Sequence, residues 1–224
     1  MHNSWGSYCC TTTQEIAANC ATFLLAGFDT TSNALTYCSH LLAMHPDYQE
    51  RLKDEIDSVW DGEGAPMAEQ LQQLTLMEQV IMETLRLYPL GSTVCSRTCM
   101  SPCELTTRAG RKLLVPAGMT IAADVWSLHR DPAVWGADAD EFRPERFEAA
   151  ESKGRHPMAW QPFGAGPRLC IGKRFAMLEM KLLLCQLLRR YRLSACDATE
   201  VPLELQFHSL TVSPKSLTVV LEPR

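Results

Sequence analysis

The chain has 224 residues, of which ten are cysteine, and its formal net charge at pH 7 is −5. This length allows one or two domains with a substantial core, and the acidic balance argues against a general nucleic-acid-binding protein. Residues 1–5 lack the basic end and the apolar stretch of a signal peptide, and no segment is apolar over the length of a membrane span. We therefore expect mostly free thiols on the cytosolic side of any membrane.

The first predicted element is a long helix that begins at a capping box, Thr12-x-x-Glu15. It ends near Met44, because Pro46 follows closely. The helix is apolar on most faces through Phe28, so we expect it to cross the middle of the protein.

The middle of this helix carries the polar run Ala26-Gly27-Phe28-Asp29-Thr30-Thr31. A charge and two hydroxyls in an apolar helix cost free energy unless they have partners, and the hydroxyls can bend the helix by bonding to carbonyls four residues earlier. Two interpretations fit this run. Either the helix meets solvent at Asp29, or a small distortion opens a pocket in which Asp29 and Thr30 relay protons.

A second helix is predicted from Pro46 to about Trp60, followed by a loop, a short helix near residues 67–73 and a helix from Thr75 to Tyr88. In the last of these, Glu83 and Arg86 lie on one face. Such a pair is an ordinary surface pair in most helices, but here the neighbouring residues are apolar. A buried pair needs further hydrogen bonds to offset its desolvation.

Residues 104–122 are typical of a β pair with turns at 109–110 and 116–118, preceded by Arg97 on a strand. A short helix near 124–129 leads into a long irregular stretch, 130–168, whose aromatic residues favour an ordered, packed loop. The final helix is predicted over 171–191, and two short strands are predicted within 201–222.

The most informative segment is FGAGPRLCIG, residues 163–172. Glycines at 166 and 172 allow the backbone to pass close to a flat macrocycle, and Arg168 suits a haem propionate. Cys170 directly precedes a helix, whose free N–H groups favour a thiolate. The alternative is a Gly/Pro turn before a helix, with the cysteine as a small buried hydrophobic residue.

These motifs resemble those of the cytochrome P450 family of haem-thiolate monooxygenases. The segment 163–172 fits F-x-x-G-x-R-x-C-x-G, and the run 26–31 fits the oxygen-activation motif A-G-x-[DE]-T-T. The segment 142–147 (FRPERF) fits the family pattern that completes the E-x-x-R pair. The matches follow the family order along the chain.

The resemblance implies a role for each matching residue. Cys170 would ligate the iron of haem b, and thiolate ligation promotes O–O cleavage. Asp29 and Thr30 would deliver protons, and Arg146 would join Glu83 and Arg86 in a structural trio. The residues implied to contact the cofactor are Arg97, Phe163, Gly166, Arg168 and Gly172, with Arg97 and Arg168 at the propionates; a solvated strand arginine is the alternative for Arg97.

The resemblance also implies a fold class and an activity. We expect a mainly α fold with small β elements, the C-terminal half of the cytochrome P450 fold, as a partial domain over residues 1–224. The activity implied is insertion of one atom of O₂ into a lipophilic organic substrate, whose pocket residues 90–95 would line. The alternatives are a haem-thiolate isomerase that does not activate O₂ and a non-catalytic remnant.

Electrons would come from NADPH through a flavoprotein reductase, received at a basic face of the final helix. For Arg189, Arg190 and Arg192 the alternative is that these cations complement the helix C-terminus. The basic residues are Lys173, Arg174, Lys181, Arg189, Arg190 and Arg192. We expect the full-length parent to lie on the cytosolic face of the endoplasmic reticulum membrane, through an N-terminal anchor that this chain lacks. We also expect poor solubility of the chain alone, because apolar faces of the long helix lack cover.

Overall fold

The structure is a computed structural model that describes residues 11–91, 95–107, 109–208 and 211–224. As the sequence predicts, the fold is mainly α with small antiparallel β ladders. The helices are α1 (Thr13–Met44), α2 (Pro46–Val59), α3 (Ala68–Gln73), α4 (Thr75–Leu87), α5 (Val125–Leu128), α6 (Pro132–Trp135), α7 (Ala149–Ser152) and α8 (Lys173–Arg190). The strands are β1 (Ser96–Thr98), β2 (Cys103–Thr106), β3 (Lys112–Val115), β4 (Thr120–Ala122), β5 (Tyr191–Ser194), β6 (Leu205–Phe207), β7 (Val212–Pro214) and β8 (Val220–Pro223).

Helix α1 starts at the predicted capping box. The Thr12 side chain accepts from the Glu15 N–H at 3.2 Å, and the Glu15 carboxylate accepts from the Thr12 N–H at 2.7 Å. The bonds that the Glu15 carboxylate accepts from the Thr12 N–H and the Thr12 hydroxyl lower the pKa of Glu15. The predicted length is confirmed, but the predicted central position holds only for part of the helix. Residues 11–29 are all exposed, and burial begins at Thr31.

The core lies between the C-terminal half of α1 and helices α2, α4 and α8. Tyr37 of α1 stacks on Tyr88 with ring centroids 4.3 Å apart. Each large apolar side chain buried here contributes about 1.5–3 kcal/mol relative to an exposed position. Those of α1, α2, α4 and α8 with at most 2% exposure are Tyr37, Cys38, Leu42, Leu52, Ile56, Met77, Val80, Ile81, Met180, Leu184, Cys185 and Leu188.

The prediction of a single β pair over residues 104–122 was wrong. Strands β2 and β3 form a hairpin in the register Cys103↔Val115, but β4 pairs with β1 in a separate ladder. The cause is Pro116, which has no N–H and ends the β2–β3 ladder. Two residues after Pro116, the Gly118 N–H donates instead to the Cys99 carbonyl at 2.7 Å.

The described residues of the C-terminal tail, 201–208 and 211–224, form three strands rather than the predicted two. Strands β6 and β7 form one ladder, and β8 pairs with β5 in the register Tyr191↔Pro223. Strand β5 follows α8 without a connecting loop. The sequence pattern predicted its first residue, Tyr191, as helical, because no Gly or Pro marks the end of the helix.

The stretch 130–168 is ordered, as predicted from its aromatic content. It contains α6, α7 and three short 3₁₀ helices, Pro144–Phe147, Pro157–Ala159 and Gly166–Arg168. A continuous row of rings joins its two ends, with Trp135, Phe147, Trp160 and Phe163 in successive contact at centroid distances of 5.8, 5.8 and 6.1 Å. This row fixes the start of the segment that carries Cys170.

Candidate functional site

A fully buried ion cluster lies beneath the site. The Glu83 carboxylate accepts from Arg86 Nε at 2.6 Å and Nη2 at 2.8 Å, and from Arg146 Nε at 3.2 Å. All three side chains have no exposed area. The structure therefore brings the α4 pair together with the arginine of the 142–147 segment.

The remaining donors of the two arginines bind backbone carbonyls, and Arg146 also donates to the Asp138 carboxylate at 2.9 Å. Arg86 donates to His129 O at 2.7 Å and Ala139 O at 2.5 Å, and Arg146 donates to Trp135 O at 2.6 Å. These bonds offset the desolvation of the buried charges. As a result, the cluster ties the loop to α4 at several points.

His129 makes a second link between α4 and the loop, through contacts that the sequence patterns do not indicate. Its Nδ1 donates to the Arg86 carbonyl at 3.1 Å, and its Nε2 accepts from the Gln161 N–H at 2.9 Å. Burial lowers the pKa of His129 to about 4, so the ring is neutral at pH 7. The side chain thus links α4 to a residue two positions before Phe163.

The segment Phe163–Gly172, here called the cysteine loop, folds back on itself. The Cys170 N–H donates to the Phe163 carbonyl at 3.0 Å. Gly164 and Gly166 both have φ of +72°, a backbone conformation that residues with a side chain rarely adopt. Gly164 occupies a variable position of the sequence motif, so its conformational role is visible only in the structure.

The Cys170 thiol is exposed on this loop. Within the residues that the structure describes, its sulfur makes no hydrogen bond. A Cβ at Gly172 would lie 3.9 Å from that sulfur, so the glycine leaves one side of it uncovered. Ile171 and Phe175 are also exposed, at 83% and 71%. A free thiol flanked by apolar side chains fits the underside of a flat apolar macrocycle.

The two arginines predicted at the propionates are both exposed. Arg97 lies on β1 and donates to the Ser96 carbonyl at 2.6 Å, and Arg168 lies on the cysteine loop. Neither forms an ion pair with a carboxylate in the described ranges. A Cβ at Gly164 would lie 3.9 Å from both Cys95 Sγ and the Arg168 carbonyl, so the segment that leads into β1 runs beside the loop.

Asp29 and Thr30 lie at the boundary between the exposed and buried halves of α1. Thr30 Oγ1 donates to the Ala26 carbonyl at 2.6 Å, yet the helix continues through this bond. The Asp29 carboxylate accepts from Asn33 at 3.1 Å and from Thr211 at 3.0 Å. No hydrogen bond joins Asp29 or Thr30 to the cysteine loop in the part of the chain that is described.

The predicted basic face of α8 needs correction. Lys181 is buried and donates to Glu78 at 2.8 Å, because a buried ammonium requires a carboxylate or carbonyl partner. Arg189 binds the Trp60 carbonyl at 2.6 Å, and Arg192 lies 3.9 Å from Glu50. Arg174 and Arg190 remain exposed.

The predicted pocket segment 90–95 is described at Leu90, Gly91 and Cys95, while residues 92–94 lie outside the described ranges. Leu90 is buried, and its carbonyl accepts from the Val212 N–H at 3.1 Å. The segment is therefore held against β7 at one end and beside the cysteine loop at the other.

Comparisons with known proteins establish the family of this chain. A family model described as "Cytochrome P450" matches residues 10–221. The chain belongs to the cytochrome P450 family. It is 44% identical to "Putative cytochrome P450 CYP13A3" and 42% identical to "Putative cytochrome P450 cyp-13B1", both of Caenorhabditis elegans, over 213 residues in each case. The alignments cover 95% of this chain and 40% of each relative, so the chain spans about two fifths of the length of these curated relatives.

The cytochrome P450 family as a whole is characterised by a haem cofactor and by monooxygenation as its reaction class. None of the helices among the described residues is both long and apolar enough to cross a bilayer.

Proposed function

We propose that this chain carries the haem-thiolate side of a cytochrome P450 monooxygenase, with Cys170 as the iron ligand. The observation that supports this most directly is the exposed thiol on a loop shaped by two left-handed glycines and flanked by exposed apolar side chains. Arg97 and Arg168 are the two exposed guanidiniums on β1 and on the cysteine loop, and each is available for a propionate. Phe163, Gly166 and Gly172 shape the cofactor side of the loop.

When bound, haem supplies an iron whose thiolate ligation favours cleavage of the O–O bond. The contribution of this chain beyond ligation is to position protons. The Thr30 hydroxyl is held by the Ala26 carbonyl, and the Asp29 carboxylate is oriented by Asn33 and Thr211. We assign Thr30 as the alcohol and Asp29 as the acid that resupplies it.

The substrate that we propose is a lipophilic organic molecule, since residues 90–95 carry no charge. Electrons would come from NADPH through a flavoprotein reductase that contacts the exposed cations Arg174 and Arg190. For the full-length protein we propose the cytosolic face of the endoplasmic reticulum membrane.

A titration with haem, followed by reduction and addition of carbon monoxide, tests the proposal. Uptake of about one haem per chain with a strongly red-shifted Soret band is expected, because a thiolate ligand produces that shift. Absence of haem uptake would support a non-catalytic remnant. NADPH-dependent oxygen consumption with an added reductase then separates a monooxygenase from an isomerase, since the isomerase consumes no oxygen.

A further inference from the structure

Two cysteine side chains meet where the two ladders formed by β1 to β4 adjoin. Cys99 directly follows β1 and Cys103 is the first residue of β2, and their Sγ atoms are 3.6 Å apart. Cys103 is exposed and Cys99 is half-buried. Small solutes therefore reach the pair from solvent.

The backbone holds both residues in place. The Cys99 N–H donates to Met119 O at 2.8 Å, and Cys103 is paired with Val115 in the β2–β3 ladder. The Cys99 thiol donates to the Ser101 carbonyl at 2.8 Å, and its sulfur lies 3.8 Å from the Val115 carbonyl. A disulfide has an S–S distance of about 2.05 Å. Closing the pair therefore requires the sulfurs to approach by about 1.5 Å, a movement that side-chain rotation supplies.

We propose that Cys99 and Cys103 form a thiol-modification site at which small-molecule disulfides, such as glutathione disulfide, produce an intrachain disulfide. The Cys103 thiolate attacks glutathione disulfide, which forms a mixed disulfide and releases one glutathione. The Cys99 sulfur then attacks the mixed disulfide and releases the second glutathione. The dithiol loses two protons and two electrons, and glutathione disulfide is reduced to two glutathione molecules.

Cys95 provides an internal control for this proposal. Cys95 and Cys99 have the same spacing in sequence as Cys99 and Cys103. The Cys95 sulfur, however, lies 3.8 Å from the Gly91 carbonyl and beside Gly164 of the cysteine loop. If spacing alone decided pairing, Cys95 would compete with Cys103 for Cys99. The structure favours Cys103.

Peptide mapping distinguishes the two pairs. Trypsin cleaves after Arg86, Arg97 and Arg108, so Cys99 and Cys103 share one peptide and Cys95 lies in the peptide before it. The hydrogen bond with Cys99 raises the pKa of Cys103, so the incubation with glutathione disulfide is run at mildly alkaline pH. Free thiols are then blocked by alkylation in denaturant before digestion.

We expect the peptide 98–108 to become lighter by two hydrogen atoms in most molecules. In the Cys103→Ser variant, Cys99 should instead carry no internal disulfide and at most one glutathione. A cross-link between the peptides 87–97 and 98–108 would overturn the proposal. It would also be overturned by glutathione adducts on 98–108 without ring closure, or by an unreacted 98–108 peptide while the exposed Cys20 is modified.

Discussion

At the scale of single residues, the stability of this cytochrome P450 chain depends most on its buried charges. Glu83 binds two arginines that have no exposed area, and Asp138 supplies a second carboxylate to Arg146 at 2.9 Å. The four side chains therefore depend on one another. A buried cation that loses its partner costs far more than a surface pair contributes. The cluster should therefore dominate the response of stability to mutation in this region.

Replacing Glu83 tests this dependence. Glu83→Gln should lower the free energy of unfolding by about 3–5 kcal/mol, because Arg86 would keep its buried charge without a carboxylate partner and Arg146 would keep only Asp138. The matched control is Glu104→Gln, which breaks an exposed pair with Lys112 and should change stability by about 0.5 kcal/mol or less. Urea unfolding followed by circular dichroism measures both. Equal effects of the two substitutions would show that the cluster does not bear the stability assigned to it.

His129 predicts a dependence on pH. Its pKa is about 4 in the folded chain and about 6.5 in an unfolded one. Because the folded value is the lower one, its contribution to stability is full above pH 6.5 and is lost as the pH falls toward 4. The loss from this residue should be about 3 kcal/mol.

A titration-silent variant isolates that contribution. His129→Gln keeps a donor for the Arg86 carbonyl and an acceptor for the Gln161 N–H, but it does not titrate. Urea unfolding at pH 7, 5.5 and 4 should show a smaller acid loss in the variant than in the parent. Burial also lowers the pKa of His40, so some acid loss should remain. Identical pH profiles would contradict the assignment.

At the scale of elements, the helices were predictable and the strands only in part. The capping box at Thr12 and the proline at position 46 mark helix boundaries within a few residues, which is why α1 and α2 agree with the prediction. Strand pairing depends on contacts distant in sequence. The pairing of β1 with β4 follows from the bond between Gly118 and Cys99, which no local pattern encodes.

The cysteine loop likewise combines a feature that local sequence predicts with contacts that it does not predict. Its motif predicted that residues 163–172 form one loop ahead of a helix. The bracing by His129 was not predictable, because its partners Arg86 and Gln161 lie 43 and 32 positions away in sequence. Local sequence therefore indicates the chemistry of this site, and long-range packing determines how rigidly it is held.

Two glycines with open surroundings test the backbone of the loop. A Cβ at Gly166 or at Gly27 would have no atom within 4 Å. Gly166→Ala should destabilise the chain by about 1–2 kcal/mol, because φ of +72° disfavours a side chain. Gly27→Ala lies inside α1 and should stabilise it by about 0.5–1 kcal/mol. Thermal unfolding measures both, and effects of the same sign would contradict the argument.

At the scale of the whole molecule, the exposed half of α1 presents an apolar surface to solvent. Phe23, Leu24, Leu25 and Phe28 are exposed at 57–80%. Apolar patches of this kind promote association. The sequence predicted an apolar helix with faces that lack cover, but not where along the helix burial begins, because burial depends on which neighbours pack against it.

This surface predicts self-association of the chain. In sedimentation velocity, the parent should form oligomers or aggregates as its concentration rises. The double variant Leu24→Ser, Leu25→Ser should shift the distribution toward monomer, whereas Cys20→Ser on the same exposed half should leave it nearly unchanged. A monomeric parent at high concentration with a sharp thermal transition would refute this prediction.

The central claim is that the Cys170 sulfur is the iron ligand, and the carbon monoxide spectrum of the reduced, haem-loaded chain tests it most directly. The matched pair of variants is Cys170→Ser and Cys20→Ser, since both replace an exposed cysteine. The account predicts that the red-shifted Soret band is lost in Cys170→Ser and retained in Cys20→Ser. A red-shifted band that persists in Cys170→Ser would contradict it.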